Sequence, residues 1–238
     1  MSDLNALKKM LVAGNRILGN EGIVDAWGHI SVRNPDNPNH YFLSRSRSPE
    51  LVEFDDILEF DLDNKPIKDD GTPIYIERPI HGSIYKARPE VQSVIHNHCM
   101  EILPFGVTQT EMRPVVHNAR RLGERIGVWD IREKFGDTDL LVTTNAQGDD
   151  LAKKLGKAKG VLMRGHGCAV TGMSIPDSVG CAIAMKNNAA TIMSSLLLGG
   201  QITYLSPGEI SVGQGGQDSL RGHDRGWEYL LRRSGISL

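Results

Sequence analysis

Ser93-Val94-Ile95-His96-Asn97-His98 is the stretch on which the fold turns. Its β-branched start predicts a strand from Gln92 to His98, and strand alternation puts His96 and His98 on the same side of the backbone. A third imidazole, His166, stands between Gly165 and Gly167, just after the apolar run Gly160-Val161-Leu162-Met163. Missing side chains there let backbone and ion approach closely, so the site is expected to begin at strand ends. With Glu77 upstream, three imidazoles and a carboxylate make up the donor set of a divalent cation. Three protein nitrogens with one exchangeable position fit a catalytic ion, whereas a closed structural site is more often rich in Cys. Taken one at a time, these histidines also fit ordinary hydrogen-bonded residues.

Working outward, Leu4, Leu7, Leu11 and Ile17 have helical spacing up to a stop at Gly19. Short strands at Gly28 to Arg33 and Ile57 to Leu62 alternate with the turn signals Asn34-Pro35-Asp36, Asp63-Asn64-Lys65-Pro66 and Asp69-Asp70-Gly71, in the manner of hairpins. Arg78 to Ala87 reads as a helix closed before Pro89, and Asn145 to Leu155 as another. Ile175-Pro176-Asp177 opens a long helix running through Leu198. A tail with Gly213, Gly215 and Gly216 precedes a final helix from Asp218 to Arg233 that carries Trp227 and Tyr229. Helices therefore bracket a sheet, an α/β chain.

The 238 residues, 39% of them hydrophobic, suffice for one well-filled core, so 1–238 is read as one domain. A formal net charge of -2 with dispersed charges argues against nucleic-acid binding and for small-molecule chemistry. The start lacks a basic segment followed by a long apolar core, and no stretch is apolar for the length a bilayer needs. A cytoplasmic location away from membranes is expected. Cys99, Cys168 and Cys181 are odd in number and lack C-x-x-C spacing, which predicts reduced thiols. Cys99 is expected to be a small buried hydrophobe.

The order of these motifs resembles the class II aldolase/adducin family over nearly the whole chain. Gly28-His29-Ile30-Ser31-Val32-Arg33 is similar to its early glycine strand, Glu77 with Ile80-His81-Gly82-Ser83-Ile84-Tyr85 to its acid/base glutamate and following helix, and His96-Asn97-His98 with His166-Gly167 to its metal histidines. The resemblance implies a three-layer α/β/α sandwich around a largely antiparallel sheet. It also implies an ion on His96, His98 and His166, and a homotetramer with active sites near subunit boundaries. Departures redirect the substrate. The family's sugar-phosphate enzymes have Asn where this chain has His29, a hydroxyl-rich phosphate loop where it has Ser44-Arg45-Ser46-Arg47-Ser48-Pro49, and Ser-Ser where it has Tyr75-Ile76. The arginine loop, Pro104-Phe105-Gly106-Val107 and Arg113-Pro114-Val115-Val116-His117 resemble instead a branch of metal-dependent decarboxylases of hydroxylated aromatic and pyridine dicarboxylates.

Chemistry then assigns roles. Arg45 and Arg47 are planar cationic forks suited to a retained carboxylate, with Ser44 beside them, although an arginine pair is equally at home in a surface salt bridge. Glu77 is the acid/base candidate for the proton that replaces carbon dioxide, or else a fourth ligand. His29 and His117 are secondary candidates to bond a substrate oxygen or shuttle a proton, each with a structural alternative. Tyr229 and Trp227 are candidates to close the pocket, or to pack on a core or interface; Arg164 beside the third ligand is open. The expected reaction is decarboxylation of an aromatic or heteroaromatic hydroxy-dicarboxylate, with retro-aldol cleavage of a hydroxy-oxo acid next and a non-catalytic interaction module last. Mn2+ is the expected ion and Zn2+ the second.

Overall fold

The computed structural model describes residues 3–215 and 220–236. In chain order these form α1 (Leu4–Asn20), β1 (His29–Arg33), β2 (His40–Ser44), β3 (Ile57–Asp61), α2 (Pro79–Ala87), β4 (Ser93–Asn97) and α3 (Leu103–Val107). There follow β5 (Gly127–Trp129), α4 (Arg132–Phe135), α5 (Asn145–Leu155), β6 (Gly160–Met163), β7 (Gly167–Gly172), α6 (Ile175–Leu197), α7 (Pro207–Gly215) and α8 (Leu220–Arg233).

One seven-stranded sheet has the order β3-β2-β1-β4-β7-β6-β5. Every neighbouring pair is antiparallel except β5 with β6, which is parallel. The hairpins expected at the amino-terminal end are present, β2 pairing with both β1 and β3. Period-2 alternation sorts side chains between two cores. Ile30, Val32, Phe42, Ile95, Leu162, Cys168 and Val170 join one core with residues of α1 and α6. Tyr41, Leu43, Val94, Val161, Met163 and Ala169 join the other with residues of α2 and α5. The result is the α/β/α sandwich, with both sheet faces covered, which is why the strands are buried along most of their length.

The long helices end where local chemistry dictates. Asp3 caps α1 by accepting from the Ala6 amide, Ser174 caps α6, and Thr144 with Gln147 forms a reciprocal capping box on α5. Sequence periodicity missed α7, which runs to the expected glycine-rich tail. Ser206 and Glu209 bond each other's backbone amides and nucleate it in spite of those glycines. Gly216 and the Asp218 start of the last helix lie outside the described residues. Trp227 of α8 is buried in the α1/α6 core, whereas Tyr229 is 60% exposed. No helix among the described residues is long and apolar enough to cross a membrane. Cys99, Cys168 and Cys181 are free and buried, and burial pushes the Cys99 thiol up to about 12, as suits a packing residue.

Candidate metal centre

Adjacent central strands supply the site. His96 lies in β4 across from His29 of β1 and Ala169 of β7; His98 follows at the strand's end. His166 occupies the turn from β6 to β7. Gly165 adopts φ +67 there, a conformation that L side chains disfavour. At Gly167 a β-carbon would run into the Asn97 carbonyl and crowd the His98 ring, so only glycine lets the turn close onto β4. Glu77 ends the loop into α2.

These four residues converge, with one ligand atom from each lying within 4.8 Å of the others. His98 Nε2 is 3.0 Å from His96 Nε2, and Glu77 Oε2 is 3.5 Å from His96 Nε2 and 3.4 Å from His166 Nε2. Donor atoms arranged tetrahedrally around an ion at about 2.1 Å stand about 3.4 Å apart, so the cluster fits a small divalent cation. The other ring nitrogen of each histidine is held: His96 Nδ1 by the Cys168 carbonyl at 3.1 Å, His166 Nδ1 by the Leu140 carbonyl at 2.9 Å, and His98 Nδ1 by the Asp25 carboxylate at 3.0 Å. An acceptor behind Nδ1 puts the proton there and frees Nε2 for a metal. Leu140 offers its carbonyl from φ +68, unusual for a residue with a side chain and a local strain concentrated at the site.

Glu77 is held just as firmly. The Val142 amide donates to its Oε1 at 2.9 Å, leaving Oε2 toward the imidazoles. Burial raises its proton affinity, yet the His166 and His96 imidazoles that face it outweigh this and keep the carboxyl well below the usual carboxylate range. Glu77 is therefore an anion beside three imidazoles. Burial and the neighbouring His96 lower the proton affinity of His98 against the pull of Asp25, which favours the neutral, ligand-ready form.

His29 is buried beside the cluster, its ring 5.2 Å from that of His96 and 4.4 Å from that of Tyr75. Burial, with His81 and His96 nearby, lowers its proton affinity far below the ordinary imidazole value. Tyr75 also holds the arginine loop: its hydroxyl donates to the Arg47 carbonyl and accepts from Ser44 at 3.4 Å. Arg45 and Arg47 share one partner. Arg45 Nε meets Asp56 Oδ1 at 2.6 Å and Arg47 Nη1 meets Asp56 Oδ2 at 2.7 Å. Both guanidiniums converge on this internal carboxylate.

Other expected residues stand apart from the four. His117 is exposed at the start of a 3-10 helix, His117–Leu122, and no described hydrogen bond joins it to the cluster. Tyr229 faces outward on α8, and Arg164 pairs with Asp130 at 2.7 Å. Sequence reasoning missed Asp25, Leu140, Val142 and the Cys168 carbonyl, and gave His81 no role. Backbone groups carry no sequence signal. Asp25 had one, since Asp25 three residues before Gly28 can cap the turn, and its carboxylate accepts the Trp27 and Gly28 amides.

With this geometry in hand, the sequence pattern of the Class II Aldolase and Adducin N-terminal domain matches residues 9–193. The decarboxylase tropJ of Talaromyces stipitatus is 36% identical over 203 residues, 80% of this chain and 76% of that protein. A 3,4-dihydroxyphthalate decarboxylase of Arthrobacter keyseri is 25% identical over 206 residues, 82% of this chain and 81% of its own. An aldolase II superfamily protein of Pseudomonas syringae superposes with a TM-score of 0.81 at 19% identity, covering 98% of this chain and 94% of that one. Sequence and fold agree with the ligand geometry: this chain is a lyase of the class II aldolase and adducin family, akin to its decarboxylases.

Proposed function

We propose that this protein is a divalent-metal-dependent decarboxylase that removes one carboxylate from a hydroxylated aromatic or heteroaromatic (pyridine) dicarboxylate. The observation that carries this reading is the tie between two sites: Tyr75 packs on His29 beside the metal cluster and bonds the loop bearing Arg45 and Arg47. Carboxylate-binding arginines tied through one tyrosine to a metal cluster suit an anionic ring substrate, and the decarboxylases similar to this chain support the reaction class.

A divalent ion, Mn2+ first and Zn2+ second, would sit on His96, His98 and His166, beside the Glu77 carboxylate, and supply chelation of a ring hydroxyl and its neighbouring carboxylate, with charge stabilisation as the carbon–carbon bond breaks. Glu77, an anion at rest, takes the hydroxyl proton through Oε2. The bond to the departing carboxylate then breaks, its electron pair passes to the ring, and Glu77 returns the proton to the vacated carbon as carbon dioxide leaves. Arg45 and Arg47 hold the retained carboxylate through guanidinium N–H groups not spent on Asp56, with Ser44 beside them. His29 bonds a substrate oxygen.

His117 and Tyr229 are exposed in their own chain. In the homotetramer expected of the family they would serve a neighbouring subunit's site. The exposed Trp27 and Met100, which flank the cluster in sequence, offer that neighbour apolar surface.

The test is carbon dioxide release with product mass from hydroxylated aromatic and pyridine dicarboxylates, on metal-stripped protein reloaded with Mn2+ or Zn2+. Metal-dependent loss of one carboxylate supports the reading. Aldehyde formed from hydroxy-oxo acids, with no carbon dioxide from any ring, would move the chain to the aldolases.

A further inference from the structure

His29 does not stand alone. Its Nδ1 lies 2.7 Å from His81 Nε2, His81 Nδ1 lies 2.6 Å from Ser31 Oγ, and Ser31 Oγ lies 2.8 Å from the Tyr85 hydroxyl. All four side chains are buried, on β1 and the facing side of α2. Ser31 and His29 are two apart on the strand, and His81 and Tyr85 four apart on the helix. Both periods thus bring each pair to the shared interface.

Counting protons gives this row a direction. The Val94 amide can only donate to the Tyr85 oxygen, and among the described residues Ser31 Oγ is the acceptor for its hydroxyl, so that hydroxyl donates; otherwise a buried O–H would have no acceptor. Ser31 has one proton, and having accepted from Tyr85 it donates that proton to His81 Nδ1. A cationic His81 would fill Nδ1 with its own proton and leave that of Ser31 stranded. His81 is therefore neutral, protonated on Nε2, and donates to His29 Nδ1. Because His29 Nδ1 accepts, the His29 proton belongs on Nε2.

We infer that Tyr85, Ser31 and His81 form a one-way hydrogen-bond chain that holds His29 as the neutral Nε2–H tautomer, so that His29 meets the substrate as a donor and not as a base. Tyr85, Ser31 and His81 are positioning residues, each acting through the next. The acceptor is an anionic oxygen of the substrate, a point that rests on the decarboxylase reading; the tautomer does not rest on it. A donor set in place before substrate arrives needs no reorganisation as charge develops on that oxygen.

Histidine-labelled, zinc-loaded protein tests the tautomer by two-bond proton–nitrogen correlation, with the His29 signals identified by their loss in His29→Asn. The expected spectrum has Nε2 protonated and Nδ1 bare, and Ser31→Ala, which removes the donor to His81, turns it into a mixture of tautomers. A His29 proton on Nδ1, or a Ser31→Ala spectrum unchanged at His29, overturns the chain. Tyr85→Phe keeps the ring packed against the Arg33 guanidinium and gives a second, conservative break at the far end. In the carbon dioxide assay Ser31→Ala should lower kcat roughly tenfold with KM within about twofold, and an unchanged kcat would overturn the donor role. Should no ring substrate lose carbon dioxide, the decarboxylase reading falls and the spectra alone decide the chain.

Discussion

At the metal cluster each of three imidazoles has its rear nitrogen held by a different protein oxygen, two of them backbone carbonyls; at the arginine loop two guanidiniums are held by one carboxylate, Asp56. The first arrangement leaves ligand atoms unsatisfied toward a common centre. The second is close to satisfied within its own chain. A site that must seize an ion needs tautomers set in advance, because each imidazole has one lone pair to offer. A site that must take up and release an organic carboxylate does better with an internal counter-ion that orients the forks and shares them.

The two sites should differ most at His96. His96→Ala should lose metal and activity together, with kcat/KM down roughly a thousandfold or more. Metal content by mass spectrometry beside turnover checks this, and retained metal with lost turnover would make His96 a substrate contact. Glu77→Gln should cost about a hundredfold to ten-thousandfold in kcat while keeping much of the metal, as a chiefly acid/base group requires. Metal loss equal to that of His96→Ala would make Glu77 mainly a ligand.

Asp25→Asn removes the acceptor charge behind His98 and should weaken metal affinity by about ten- to a hundredfold. Competition with a chelator reads this directly. At the other site, Arg45→Ala should raise KM about tenfold for substrates bearing a second carboxylate and little for those without one, since a charge-assisted hydrogen bond is lost. The same KM for both classes would leave Arg45 as the partner of Asp56 and nothing more.

A separate effect is expected on folding. Burial, with a contribution from His96, lowers His81 to about 3, so between that value and about 6.5 the unfolded chain binds a proton that the folded one refuses. His81 therefore favours the fold above pH 6.5, and that contribution falls by about 2 kcal/mol on acidification to pH 5. Urea midpoints of metal-free protein from pH 7 to pH 5 should decline accordingly; a flat profile would mean that the buried ring takes a proton without cost.

Legibility followed the length scale of the signal. α1, α5 and α6 announced themselves by helical pattern, helped by Gly19 at the end of α1 and Pro176 at the start of α6, and β4 by a β-branched run; α7 was missed because its capping pair, Ser206 and Glu209, was set against glycines that argued for a loop. His96 and His98 were readable as a pair because two residues of one strand share a face. Their grouping with His166 and Glu77 was read from residue type, as a cation's donor set, and strengthened by the family likeness; spacing alone could not supply it. Arg45 and Arg47 were readable as carboxylate-binding forks or as a salt-bridge pair, yet Asp56 across the loop was invisible.

The sequence by itself determined the period of each element, the residue types able to hold an ion, and the glycines that let the β6–β7 turn close on β4. Only the tertiary structure decided which oxygens stand behind the imidazoles, that Leu140 and Val142 on one loop serve two ligands, and that Tyr85, Ser31 and His81 line up behind His29. The reason is physical: tautomer, charge state and ligand direction depend on partners tens of residues away, and several of those partners are backbone groups that every residue possesses.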